Sequence, residues 1–138
     1  MRRRAIAAFV VAVLVSGGVI GCRANPAGPA EIALTTGRWT GSGACLSVTE
    51  AMCNLVVGCG HGQFQRPMVG SDGTFEVDGT YRIEVGPISI NPAPPAHFSG
   101  SVTGSRLILT VVPSGSLPTA SYSMTPTSGG GTCSVPCL

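Results

Sequence analysis

The chain has 138 residues, of which only 10% are charged: eight arginines, six acids and no lysine. Arg2, Arg3 and Arg4 carry the formal excess of +2, and from residue 22 onward five arginines face six acids. A near-neutral, lysine-free chain lacks the electrostatic footprint for nucleic acid or anionic lipid, and both are excluded as partners.

The first element is MRRRAIAAFVVAVLVSGGVIGC. Three arginines precede an uncharged, mostly apolar run over residues 5–20, the layout of a helical secretory signal. Ser16-Gly17-Gly18 interrupts the run, and a single arginine beyond it is no stop-transfer signal, which argues against a membrane-spanning helix. Val19-Ile20-Gly21-Cys22 reads aliphatic, aliphatic, small, Cys, and closely resembles the lipobox of bacterial lipoproteins. The resemblance implies that residues 1–21 are a lipoprotein signal peptide and that Cys22 is the lipidation site. There the sulfur takes a diacylglyceryl group and the new amino terminus is acylated, with palmitate as a usable label. Several acyl chains at one residue give stable anchoring. In the same family an aspartate after the lipid cysteine is associated with inner-membrane retention, so Arg23 favours an outer membrane where one exists. The alternative is an ordinary signal cut nearby, with Cys22 left as a thiol.

Residues 22–36 are rich in Ala, Pro and Thr and read as a lipid-anchored flexible tether. Beyond them no helical periodicity persists, while 20 glycines and 11 prolines punctuate short β-branched and aromatic runs. The expectation for residues 37–126 is an all-β domain, an antiparallel meander of about 6–8 strands closed into a small β-barrel, with a β-sandwich as the rival. Residues 127–138 form a Gly/Cys-rich C-terminal tail. The first strand is expected over residues 37–48, followed by a turn at Thr49-Glu50-Ala51 and a second strand over 52–57. Gly37-Arg38-Trp39 at the start of a meander weakly resembles lipocalins and other calycin-like small barrels. That resemblance implies a carrier of a small apolar ligand, its pocket lined by Trp39, Phe64, Phe75, Tyr81 and Phe98.

The next stretch, GCGHGQF, alternates Cys59 and His61 with glycines. Taken as one strand over residues 55–65, it puts Val56, Gly58, Gly60, Gly62 and Phe64 on the inner face. Val57, Cys59, His61 and Gln63 then face water. A glycine row permits a bend or close approach of another backbone or ligand. His61, with Cys59 or Cys53 and His97, is a weak metal candidate, since no metal-ligand spacing occurs. A Cys59–His61 nucleophile and base on one strand would stand about 6.5 Å apart at the backbone, with no orienting third group.

Residues 74–85 alternate strictly, with Phe75, Val77, Gly79, Tyr81, Ile83 and Val85 on one face. This predicts a single strand running through Gly79. Residues 86–96 carry too many prolines for a central strand and read as a surface loop. Residues 97–102 and 107–112 flank a turn centred on Gly104 and Ser105, a two-residue hairpin signal, with His97 facing solvent. Residues 121–125 are expected to close the sheet with Tyr122 and Met124.

In an exported chain Cys45, Cys53, Cys59, Cys133 and Cys137 read as a disulfide framework with one thiol left over. Cys45 and Cys53 are equidistant from Thr49, so a hairpin centred there predicts their pairing. Cys59 is then expected to clip the tail through Cys133 or Cys137. No Gly-x-Ser-x-Gly elbow occurs, and a Gly-x4-Gly-Lys phosphate loop needs a lysine. The sequence therefore reads as a non-enzymatic envelope lipoprotein with a binding or structural role and no cofactor. Its expected contacts are the membrane through the anchor, and an envelope protein or small apolar ligand. It is expected at the cell membrane or outer membrane, facing the periplasm or exterior.

Overall fold

The computed structural model describes residues 30–85, 91–129 and 132–137. The signal peptide, Cys22 and the tether up to residue 29 lie outside the described residues, as do residues 86–90 of the expected loop. All the regular structure described is β: β1 (Ile32–Ala33), β2 (Gly37–Gly41), β3 (Ala44–Val48), β4 (Met52–Val57), β5 (Gly60–Gln65), β6 (Met68–Val69), β7 (Thr74–Ile83), β8 (Pro95–Thr103), β9 (Arg106–Pro113) and β10 (Ala120–Thr127). Eight of these form a closed barrel in the order β10-β2-β3-β4-β5-β7-β8-β9, every pair antiparallel. Closure between β10 and β2, with Trp39 opposite Pro126, leaves the barrel without a free edge. The rival sandwich is thereby set aside.

Two expected strands are in fact hairpins. Residues 37–48 divide at Ser42 and Gly43, whose φ values of 51° and 72° give the left-handed turn that matches strand twist. Residues 55–65 divide at Gly58 and Cys59, so Val57 pairs with Gly60 and Val56 with His61. The chain thus changes phase at the turn: Cys53, Leu55 and Val57 share the inner face with Gly60, Gly62 and Phe64, and Val56 faces outward. The expected tether over residues 22–36 already holds β1 and the buried Leu34 at its described end, because Ile32 and Ala33 pair with Val69 and Met68. Two later elements match the expectation. β7 runs unbroken through Gly79, and Gly104-Ser105 joins β8 to β9. The expected loop ends early, because β8 begins at Pro95 and Ala96 is buried. A proline at the first residue of a strand costs no ladder bond that the sheet needs.

The short β1–β6 ribbon covers one end of the barrel, where Leu34 is buried, its N–H donating to the Pro67 carbonyl at 3.0 Å. Arg66 Nε donates to the Leu34 carbonyl at 2.7 Å, and Trp39 Nε1 to the Thr35 carbonyl at 3.2 Å. This end also carries the β3–β4 and β8–β9 turns; the β2–β3 and β4–β5 turns lie at the other.

Inside, glycines and rings are matched. A Cβ on Gly60 would overlap the Tyr81 hydroxyl, one on Gly100 the Phe75 ring, and one on Gly79 the Gln63 carbonyl. A Cβ on Gly62 would press on the Phe98 ring at 3.2 Å. Phe98 and Phe64 stack with centroids 4.4 Å apart. The glycine row of GCGHGQF therefore faces inward and is filled by aromatic side chains. The outer wall is the reverse: Thr74, Glu76 and Asp78 on β7 continue into His97, Ser99 and Ser101 on β8 and Thr110 on β9. A barrel crossing lipid would need an apolar band there.

Replacing Gly79 by alanine drives a methyl group into backbone that cannot yield. We expect Gly79→Ala to destabilise the barrel by about 3 kcal/mol or more in urea unfolding, and Gly62→Ala by about 1 kcal/mol. Equal effects at the two positions would contradict this packing.

Candidate functional site

The tail runs over the outside of the barrel as a strap. Cys45 is bonded to Cys133 and Cys59 to Cys137, with Cα separations of 5.5 and 4.6 Å. The expected Cys45–Cys53 bridge is not formed. The β3–β4 turn is centred between Glu50 and Ala51, so Val48 faces Cys53 and Cys45 faces Val56. Cys45 alternates with the core residues Ala44 and Leu46 and points outward beneath the strap, whereas Cys53 points into the core. The tail expectation for Cys59 holds, through Cys137. The bridges span 88 and 78 residues, and loops of that size lower the entropy of the unfolded chain by about 4 kcal/mol for a first bridge.

Among the described residues Cys53 is the free cysteine, and it has no exposed surface. Desolvation pushes its thiol up to about 12 against the pull of Arg66. A protonated thiol among core side chains is neither nucleophile nor metal ligand. Burial likewise raises the Tyr81 phenol above its ordinary range, with Tyr122 beside it adding to the effect.

His61 faces outward, its Nε2 3.4 Å from a carboxylate oxygen of Glu84. Arg82 holds the other oxygen of Glu84 at 2.7 Å, and His61 and Arg82 border a hollow of about 70 Å³ with Gln63 and Thr80. The residues once grouped with His61 are dispersed: Cys59 is in a bridge, Cys53 is in the core, and His97 lies on β8. His97 places Nδ1 2.8 Å from Asp78 and Nε2 4.0 Å from Glu76, on the exposed wall as expected. Among the described residues no three His, Cys, Asp or Glu side chains converge as a metal site.

Trp39, Phe64, Phe75, Tyr81 and Phe98 do share one interior, as the ligand-pocket expectation required, but they are 0–7% exposed and packed against one another and the glycines. The larger hollows are on the outside. One of about 740 Å³ lies between the β1–β6 ribbon and the β7–β9 wall, bordered by Glu31, Met68, Asp72, Glu76, Ile108 and Thr110. There Thr74 donates its backbone N–H and hydroxyl to Asp72, lowering that carboxyl below its ordinary value. A second hollow, of about 340 Å³, lies beneath the strap beside Arg38. Neither was legible in the sequence, because each joins segments far apart in the chain.

The fold and its filled interior define a small, closed, eight-stranded antiparallel barrel, consistent with the lipocalin-like resemblance at the level of architecture. The chain matches no family model, no curated protein and no solved structure.

Non-reducing peptide mapping is expected to recover Cys45–Cys133 and Cys59–Cys137, with Cys53 alkylated only after denaturation. A Cys45–Cys53 peptide would overturn the strap. Because burial raises the folded-state value of Cys53, the unfolded thiol ionises first, above its ordinary 9.0. Its contribution to stability is complete below pH 9.0 and is lost as pH rises toward about 12. Unfolding midpoints measured across that window should fall, and Cys53→Ala should flatten the decline, leaving the part due to Tyr81.

Proposed function

We propose that the protein is an exported envelope lipoprotein, anchored through Cys22, whose barrel serves a non-enzymatic binding or structural role at the membrane surface. The observation that carries this reading is the pair of bridges tying the tail to the barrel. Such bonds persist in oxidising compartments outside the cytoplasm, which agrees with the signal-like first 21 residues. The compact part of the chain also begins close behind the proposed lipid cysteine, with Leu34 already buried. The tether would therefore leave from the end that carries the β1–β6 ribbon.

A surface role is favoured over an interior one by packing. An apolar ligand inside the barrel would have to displace rings that already stack at 4.4 Å and fill the space over four glycines. The outer wall supplies hydroxyls and charges suited to a protein partner, and its two larger hollows give it relief. A metal-binding role at His61 has only the Glu84 carboxylate beside it.

Labelling the producing cells with radioactive palmitate is expected to mark the protein, and Cys22→Ser is expected to abolish the label and release the chain from membranes. Unlabelled wild-type protein, or a Cys22→Ser variant that stays membrane-bound after a carbonate wash, would overturn the anchor.

A further inference from the structure

Arg38 occupies an unusual position on the barrel wall. It stands on β2 between Ser47 of β3 and Thr127 of β10, with its side chain on the outer face, since its neighbour Trp39 is in the core. The strap passes nearby, and a Cβ on Gly129 would lie 3.7 Å from Arg38 Nη2. Its Nε is buried and has no acceptor. Two other arginines are provided for: Arg66 reaches Glu50 and the Leu34 carbonyl, and Arg82 reaches Glu84. Arg38 has no ion pair among the described residues.

A buried guanidinium N–H without an acceptor is unfavourable, and native structures seldom keep one without reason. A hollow lies beside this residue. The hollow of about 340 Å³ is bordered by Arg38, Thr40, Gly41 and Cys45 on the wall and by Ser134 and Val135 on the strap. Among the described residues no carboxylate borders it. The Thr40 hydroxyl is held by Thr127 at 2.6 Å, while Ser134 is exposed. Gly43 also borders it, and a Cβ there would meet nothing within 4 Å. A permanent positive charge, hydroxyls and a hollow bounded by wall and strap are what an oxyanion site requires, and a planar guanidinium is the group best matched to two oxygens at once.

We infer that Arg38 and the strap form a binding site for a small oxyanion of the carboxylate or phosphate type, closed on one side by the Cys45–Cys133 bridge. The roof is covalent, so the site exists only in the oxidised protein. It is independent of lipidation.

The test is equilibrium dialysis of the oxidised, full-length protein against radiolabelled inorganic phosphate, with ionic strength held constant by chloride. Saturable binding of about one phosphate per chain is expected, displaced by acetate. Arg38→Gln should weaken it at least about tenfold, and Arg38→Lys, which keeps the charge but not the fork, by a smaller factor. The paired Cys45→Ser and Cys133→Ser variant should lose binding while its circular dichroism still reports the barrel. Should Arg38→Gln not fold, Ser134→Tyr fills the hollow from its exposed side and should abolish binding equally. Absence of saturable binding, a change of less than about twofold in Arg38→Gln, or full binding in the unclipped variant would each overturn the site.

Discussion

The barrel depends on the contact between inward-facing glycines and the rings that cover them. Eight strands enclose little space, and the rings of Phe75, Tyr81 and Phe98 fit only where the opposing wall has no side chain of its own. Phe98 shows the constraint most clearly, since it lies over both Gly62 of β5 and Gly79 of β7 while stacking on Phe64. One residue thus ties three strands through their backbones. Packing density, rather than any single hydrogen bond, keeps the interior closed to water and to ligands. The same contact decides that chemistry, if it occurs anywhere, occurs on the outside.

The outside is divided into two unlike halves. Over β7 to β9 it is a hydroxyl- and acid-bearing wall with a broad open groove. Over β2 to β4 it is covered by the C-terminal strap, which has little apolar mass and is held by two covalent bonds. A segment of this composition would gain too little from burial to stay on the surface unaided. The bridges therefore substitute for a hydrophobic interface, and the strap they hold bounds a hollow on the wall.

Much of the fold was legible in the sequence because period-2 alternation survives wherever strands are long. Residues 74–83 and the hairpin about Gly104 are of this kind. The two missed hairpins share one cause. Gly41-Ser42-Gly43 and Gly58-Cys59-Gly60 are turns composed of the same small residues that the barrel also uses inside its strands, so glycine alone could not separate turn from close approach. The error at Gly58 carried Val56 to the wrong face, and the error at Thr49 paired the wrong cysteines, since one residue of register reverses every side chain. The strap hollow and Arg38 were beyond reach for another reason: no local pattern records which distant segment will lie over an arginine.

The first and last described segments of the chain lie at opposite ends of the barrel. Leu34 closes one mouth, while Cys137 is fastened to the β4–β5 turn at the other. A domain or epitope appended to the strap is therefore carried at the end of the barrel opposite the β1–β6 ribbon. The carboxyl terminus is thus the natural place from which to display cargo or draw the protein out mechanically, and load applied there passes through sulfur before it reaches the sheet.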